Sequence, residues 1–248
     1  MIDLQISDFT PVDKLPENSV EVPTLLQGEF GKVVLAEYQK QVREKYQDND
    51  SLKALSSDRK GSNIFISGLL YKILGPKFRP VIPADDRDGK ISALVKDKHY
   101  TDFNALIVRS NKPTYKKNPN ILRNIIETTE EKQGKIQFPF MITGFSTDSW
   151  PEDIEGYDLK FAPEKDFSCV SDERLNGKKY PYGTRFTNVD DLGLPLFDKN
   201  GTRIWYAKEQ GVSRLFLTCD LVLYSSDGNL AGSYPGGRVV VVSAEGSL

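Results

Sequence analysis

The chain has 248 residues and a formal net charge of −2, with 38% apolar and 27% charged residues. This is the balance of a globular protein with a well-solvated surface. It argues against a basic body that coats nucleic acid wholesale, and leaves room for a local basic groove. No apolar run approaches the roughly 18 residues that span a bilayer. The start, Met-Ile-Asp-Leu-Gln-Ile-Ser-Asp-Phe, lacks the basic-then-apolar pattern of a secretory leader. A cytoplasmic location without a membrane partner is expected, with Cys169 and Cys219 as free thiols. The single His99 makes a His-based metal site or a Ser-His or Cys-His unit improbable.

Residues 1–20 form an extended arm with Pro11 and Pro16. A helix is predicted over 24–47, with Thr24 and Gln27 at capping-box spacing and Leu26, Phe30, Val34, Tyr38 and Val42 on one stripe. Residues 48–62 are polar and read as a mobile loop. A second helix runs from Asn63 to Leu74 and stops at Gly75-Pro76, with a buried strand as the rival reading because of Ile64-Phe65-Ile66 and Gly68. Phe78–Ile82 and Lys90–Val95 suggest a hairpin around Ala-Asp-Asp-Arg-Asp-Gly, and 103–109 a strand. A helix over 118–133 opens on Asn118-Pro119, and Gly134 ends it. A strand over 135–145 is placed at an edge by Pro139. Short strands are expected over 157–161, 167–170 and 202–207, with Asp198–Gly201 as a hairpin turn. The densest β-forming block, Ser213–Ser243, is the expected central sheet, split by the turn-rich segment 225–237. Together these predict a single α+β domain over 1–248. Its sheet would be mostly antiparallel or a partly closed barrel, with two or three helices covering it and a weak seam near 111–119.

No segment carries a phosphate-binding glycine loop, a nucleophile elbow or a Cys-x-x-Cys pair, and no cofactor is expected. Asp86, Asp88, Gly89 and Ile91 fit part of a calcium loop. The first position would be Ala84 and the twelfth Val95, so the bidentate carboxylate is missing and a solvated turn is the better reading. Asp158-Leu159-Lys160, with Asp148 and Asp153 upstream, resembles the carboxylate-x-lysine arrangement of metal-dependent nucleases. Alternating charges on the wet face of a strand explain it more simply.

Two segments interleave cations with aromatics. One holds Lys112, Tyr115, Lys116, Lys117 and Arg123; the other Lys178, Lys179, Tyr180, Tyr182 and Arg185. Single-stranded nucleic acid needs this mixture: charge for phosphates and flat faces for unstacked bases. A tyrosine-rich loop with snorkelling lysines would look the same. The leading expectation is a non-catalytic protein that binds an extended polymer, with single-stranded nucleic acid ahead of peptide or glycan. A metal-dependent nuclease or phosphodiesterase using Asp148 or Asp153 with Asp158 and Lys160 is second. Self-assembly into a homo-oligomer through a strand edge or the N-terminal arm is third.

Overall fold

The computed structural model describes residues 22–244. The expected arm over 1–20 lies outside the described residues. In chain order the elements are β1 (Thr24–Leu25), α1 (Gly28–Lys45), α2 (Asp50–Lys53), α3 (Ile64–Leu74), β2 (Phe78–Pro80), α4 (Lys90–Val95), β3 (Thr101–Val108), α5 (Pro119–Gln133), β4 (Phe140–Ser149) and β5 (Leu159–Ser171). There follow β6 (Thr184–Val189), β7 (Pro195–Phe197), β8 (Arg203–Ala207), β9 (Val212–Leu217), β10 (Val222–Ser225) and β11 (Val240–Ser243). The strands build an eight-stranded sheet, β5-β4-β3-β9-β10-β8-β6-β7, and a three-stranded sheet, β1-β11-β2. Among these pairs β8 and β10 run parallel and the rest antiparallel. The chain is α+β. The large sheet is open, with β5 and β7 at its edges, and not the partly closed barrel that was the alternative expectation.

Helix α3 sits at the centre. Asn63 starts it: its Oδ1 accepts from the Ile66 N–H at 2.9 Å, and its Nδ2 donates to the Ser51 and Ala231 carbonyls at 2.8 and 3.2 Å. Every α3 residue except Lys72 is buried. Gly68 does not break the helix but lets it touch the sheet. A Cβ there would lie 2.2 Å from Thr147 Oγ1 on β4, so no larger residue fits. Helix α1 packs on α3, α3 on β3 and β4, and α5 on β5. Their apolar stripes close one core with Leu106, Val108, Ile142, Phe145 and Phe161 of the sheet. A second core lies on the opposite face, where α4 brings Ile91 and Val95 against Phe103, Ile107, Leu215, Leu217, Phe186 and Trp205. Strand β11, with Val239 just before it, belongs to both cores: Val239 and Val241 face the first, Val240 and Val242 the second.

Several expectations need correction. The block 213–243 is not one central sheet. Its β9 and β10 lie mid-sheet, while β11 centres the small sheet. Lys90–Val95 is a helix, because Ile91 and Val95 share a face one turn apart, and β2 pairs with β11 instead. Thr24 belongs to β1, and α1 starts at Gly28 without a side-chain cap. Residues 48–62 hold α2 and bury Leu52 and Leu55 rather than forming a mobile loop. The two strands expected over 157–170 are one, β5. Pro139 precedes β4, which is an interior strand and not an edge. The turn at 198–201 joins β7 to β8, yet these do not pair. Each lies on one side of β6. Asp86 is buried rather than solvated: its carboxylate accepts from Ser92 N, Ser92 Oγ and Arg203 Nη2 at 2.7–2.8 Å.

The sheet's deepest polar contact is Arg214 on β9, which has 0% side-chain exposure. Its Nη1 donates to both carboxylate oxygens of Asp102 at 2.9 and 3.1 Å. Its Nε and Nη2 donate to Asp227 Oδ2 at 3.1 and 3.0 Å. Removing one member of such a group leaves an uncompensated buried charge. Arg214→Met is therefore expected to destabilise the protein by about 3–5 kcal/mol in urea unfolding. Adding Asp102→Asn should recover part of that loss, so that the double variant falls short of the summed singles.

Candidate functional site: an aromatic row on the bare half of the sheet

Helices α1, α3 and α5 cover the β5-β4-β3 half of the large sheet. On the same face, no helix among the described residues covers the β9-β10-β8-β6 half. Side chains alternate along each strand, so Trp205 and Leu223 point into the second core while Ile204, Tyr206, Val222 and Tyr224 point the other way and stay half-exposed. Register then lines up their rings. Tyr206 stands opposite Tyr224 across the parallel β8–β10 pair, and Tyr224 opposite Phe216 across β10–β9.

The result is a continuous row of six aromatic rings. Tyr182 stacks on Tyr206 with centroids 3.5 Å apart and planes 16° apart. Tyr206 meets Tyr224 edge-on at 5.0 Å, and Tyr224 stacks on Phe216 at 4.9 Å. Tyr100 follows at 5.7 Å from Phe216, and Tyr234 at 6.2 Å from Tyr100. The end rings are the open ones, with Tyr182 63% and Tyr234 61% exposed. The inner end is fixed from below. The Arg214 guanidinium lies 4.4 Å from the Phe216 ring centroid, and the Tyr100 hydroxyl donates to Ser62 O and accepts from Tyr234 N. Burial pushes the Tyr100 hydroxyl above its ordinary pKa, so it stays protonated.

The two predicted basic-aromatic segments both border this half of the sheet, on either side of the β8–β9 connection at 208–211. Thr114 Oγ1 accepts from Lys208 Nζ at 2.8 Å, and a Cβ on Gly211 would lie 2.9 Å from the Lys112 carbonyl. From the other side, a Cβ on Gly177 would lie 2.0 Å from the Lys208 carbonyl. Within the segments, roles divide. Tyr182 is in the aromatic row, and Arg185 stands on the bare face opposite Ile204, with its Nη1 donating to Gly201 O. Tyr180 is turned away: it stacks on Phe197 at 4.1 Å and packs on the second core. Lys179 pairs with Glu173 at 2.6 Å and reaches over the Tyr180 ring. Lys178, Lys112 and Lys116 are exposed. Tyr115 packs on the first core, Lys117 lies over Tyr157 at 5.5 Å, and Arg123 is exposed on α5.

Sequence reading missed Tyr206, Tyr224, Phe216, Tyr100, Tyr234 and Lys208. They are scattered along the chain; strand register brings Tyr206, Tyr224 and Phe216 together, and the loops place Tyr100, Tyr234 and Lys208 beside them. The alternation Ile204-Trp205-Tyr206-Ala207 was the one usable signal, since one of two adjacent aromatics on a strand must face outward.

The carboxylates of the nuclease reading lie at the end of β4 and in the β4–β5 connection, away from the aromatic row. Asp148 pairs with Lys72 and stands opposite Lys160 across β4–β5. Asp153 is buried and accepts from Asn120 Nδ2 at 2.8 Å and Tyr157 N at 3.0 Å, while Asp158 is exposed. Among the described residues no three His, Cys, Asp or Glu side chains are grouped so as to hold a metal ion. No described helix is long and apolar enough to cross a membrane. No family model, curated protein or solved structure matches this chain.

The outer rings form a surface and are not part of the core, and stability will separate the two roles. Tyr182→Ala is expected to lower stability by no more than about 1 kcal/mol, the worth of an exposed stacked pair. Trp205→Ala, on the buried side of the same strand, should cost about 3–5 kcal/mol. Urea unfolding of both variants checks this difference.

Proposed function

We propose that this protein binds single-stranded nucleic acid along the aromatic row, without itself cleaving it. The observation that carries the reading is the row: six rings along the bare half of the sheet, with Tyr182 and Tyr234 exposed, Tyr206 and Tyr224 half-buried, and Phe216 and Tyr100 buried beneath them. Stacking on flat faces is how a sheet holds unpaired bases without regard to sequence. The fringe has the sign that a phosphate backbone requires. Arg185 and Lys208 border the rings, and the loop carrying Lys112, Lys116 and Lys117 adjoins Lys208. Asp102 and Asp227, which lie behind the row, are both paired with Arg214. A net charge of −2 is compatible with such a local patch and predicts binding that salt weakens quickly.

A labelled single-stranded oligonucleotide titrated at two salt concentrations tests the reading. Binding should weaken markedly between about 50 and 200 mM salt. Tyr206→Ala should cost about 1–3 kcal/mol of binding free energy, and Tyr182→Ala a similar amount. Tyr180→Ala, whose ring faces the second core, should leave the affinity of the folded protein unchanged. Equal losses from Tyr180→Ala and Tyr206→Ala, or no salt-sensitive binding by the unmodified protein, would count against the aromatic row as the platform.

A further inference from the structure

We propose that Lys208, with Thr114 beside it, is a seat for one phosphoryl oxyanion at the edge of the aromatic row. This deepens the reading above, and rests on it for the claim that the anion belongs to a polymer laid across Tyr206. Lys208 directly follows the last residue of β8, two positions after Tyr206, and its backbone N–H extends the pairing with β10 by donating to Ser225 O at 3.3 Å. Alternation therefore places it on the ring-bearing face. Its ammonium is drawn into the protein, half-buried, yet its hydrogen-bond partner among the described residues is a neutral hydroxyl, Thr114 Oγ1 at 2.8 Å. Gly228 makes room for it: a Cβ there would stand 2.7 Å from Nζ. An ammonium has three donors, so this one retains capacity for an anion.

The surrounding charge favours an anion. Arg109, at the end of β3, is 6% exposed, and no carboxylate contacts it among the described residues. All four of its bonds go to neutral oxygens: Leu175 O, Ser213 Oγ, Ser225 O and Ser225 Oγ, at 2.7–3.1 Å. The charged groups that act on Lys208 are Arg109, which repels it, and Asp227, which attracts it but is already bonded to Arg214. Lys208, Arg109 and Arg214 against Asp102 and Asp227 leave this cluster one positive charge in excess, with Arg109 on the second-core face, and among the described residues no carboxylate is in ion-pair contact with Lys208. Burial, and then Arg109, lower the Lys208 ammonium to about 8. A bound phosphate would supply the missing charge and keep the lysine protonated.

The sign of the pH dependence follows. Lys208 is charged below pH 8 and loses its proton as pH rises through that value, so anion binding is strongest at neutral pH and fades above it. A phosphodiester and adenine bases do not titrate in this range, so an oligodeoxyadenylate reports on the protein alone.

The experiment measures binding of oligodeoxyadenylate, and separately of inorganic pyrophosphate by equilibrium dialysis, at pH 7 and pH 9. The proteins are the unmodified chain, Lys208→Met, Lys208→Arg and Tyr206→Ala, each checked for an unchanged thermal midpoint. We expect the unmodified chain to bind the oligonucleotide several-fold more weakly at pH 9. Lys208→Met should be about tenfold weaker at pH 7, with a salt slope reduced by about one and a shallower pH profile, what remains of it coming from Arg109, which burial lowers to about 9. Lys208→Arg should lose much less affinity than the unmodified chain between pH 7 and pH 9, because an arginine at this half-buried position stays charged there. If Lys208→Met binds like the unmodified chain while Tyr206→Ala does not, the anion seat is wrong and the aromatic platform stands. If oligonucleotide binding is absent but pyrophosphate binding depends on Lys208, the seat stands and the platform is wrong. If neither probe binds, both are overturned.

Discussion

The buried Arg214 guanidinium is the contact on which the rest of the structure depends. It joins three segments distant in sequence: β9, which carries it, β3 through Asp102, and the turn after β10 through Asp227. Asp227 in turn accepts from the Asn229 N–H at 2.8 Å and so shapes the segment that places Leu230 in the first core. The same guanidinium supports the Phe216 ring. A buried ion group of this kind adds little net stability, since its desolvation offsets most of its attraction. What it contributes is register. A slip of β9 against β3 by one residue would turn Arg214 into the second core, away from both carboxylates.

The division of the sheet into a covered and a bare half follows from how the helices are sized. Helix α3 is buried almost all round because α1 lies above it and β3 and β4 below. Helix α5 extends that cover toward β5. Among the described residues no helix reaches beyond β9 on that side, so β8 and β10 must present something that tolerates water. Tyrosine does so: its ring covers the apolar strand while its hydroxyl stays wet. Such a row therefore protects the sheet and also offers a stacking surface.

The sequence made the helices legible because their signals are local. The stripe Phe30-Val34-Tyr38-Val42, the Gly75-Pro76 stop and the Asn118-Pro119 start each lie within a few turns. Strands were found but placed wrongly where identity depended on a partner. Val240–Ser243 reads like any buried strand, and nothing within it says that its neighbours are Thr24–Leu25 and Phe78–Pro80. Lys90–Val95 was misread because six residues with only Ile91, Leu94 and Val95 as large apolar positions carry too little period to separate helix from strand. For the site, the charged loops were visible as composition, and Tyr182 and Arg185 were named on that basis. The rings that complete the row were not visible, since Tyr206, Tyr224 and Phe216 meet only through the β8-β10-β9 register. Tyr180 shows the converse: two residues from Tyr182 and of the same type, it faces the other core.

The position of β11 between β1 and β2 has a consequence for the order in which the chain can fold during synthesis. Strands β1 and β2 emerge from the ribosome early, but their sheet partner is a strand translated some 160 residues after β2, given Val241 opposite Pro80. Until then both cores lack their shared wall of valines, and the first helices have no finished surface to rest on. Contacts of such long sequence separation slow folding and lengthen the time that apolar surface stays exposed. The nascent chain is thus committed to a late, concerted closure, in which one short strand seals the two halves of the interior at once.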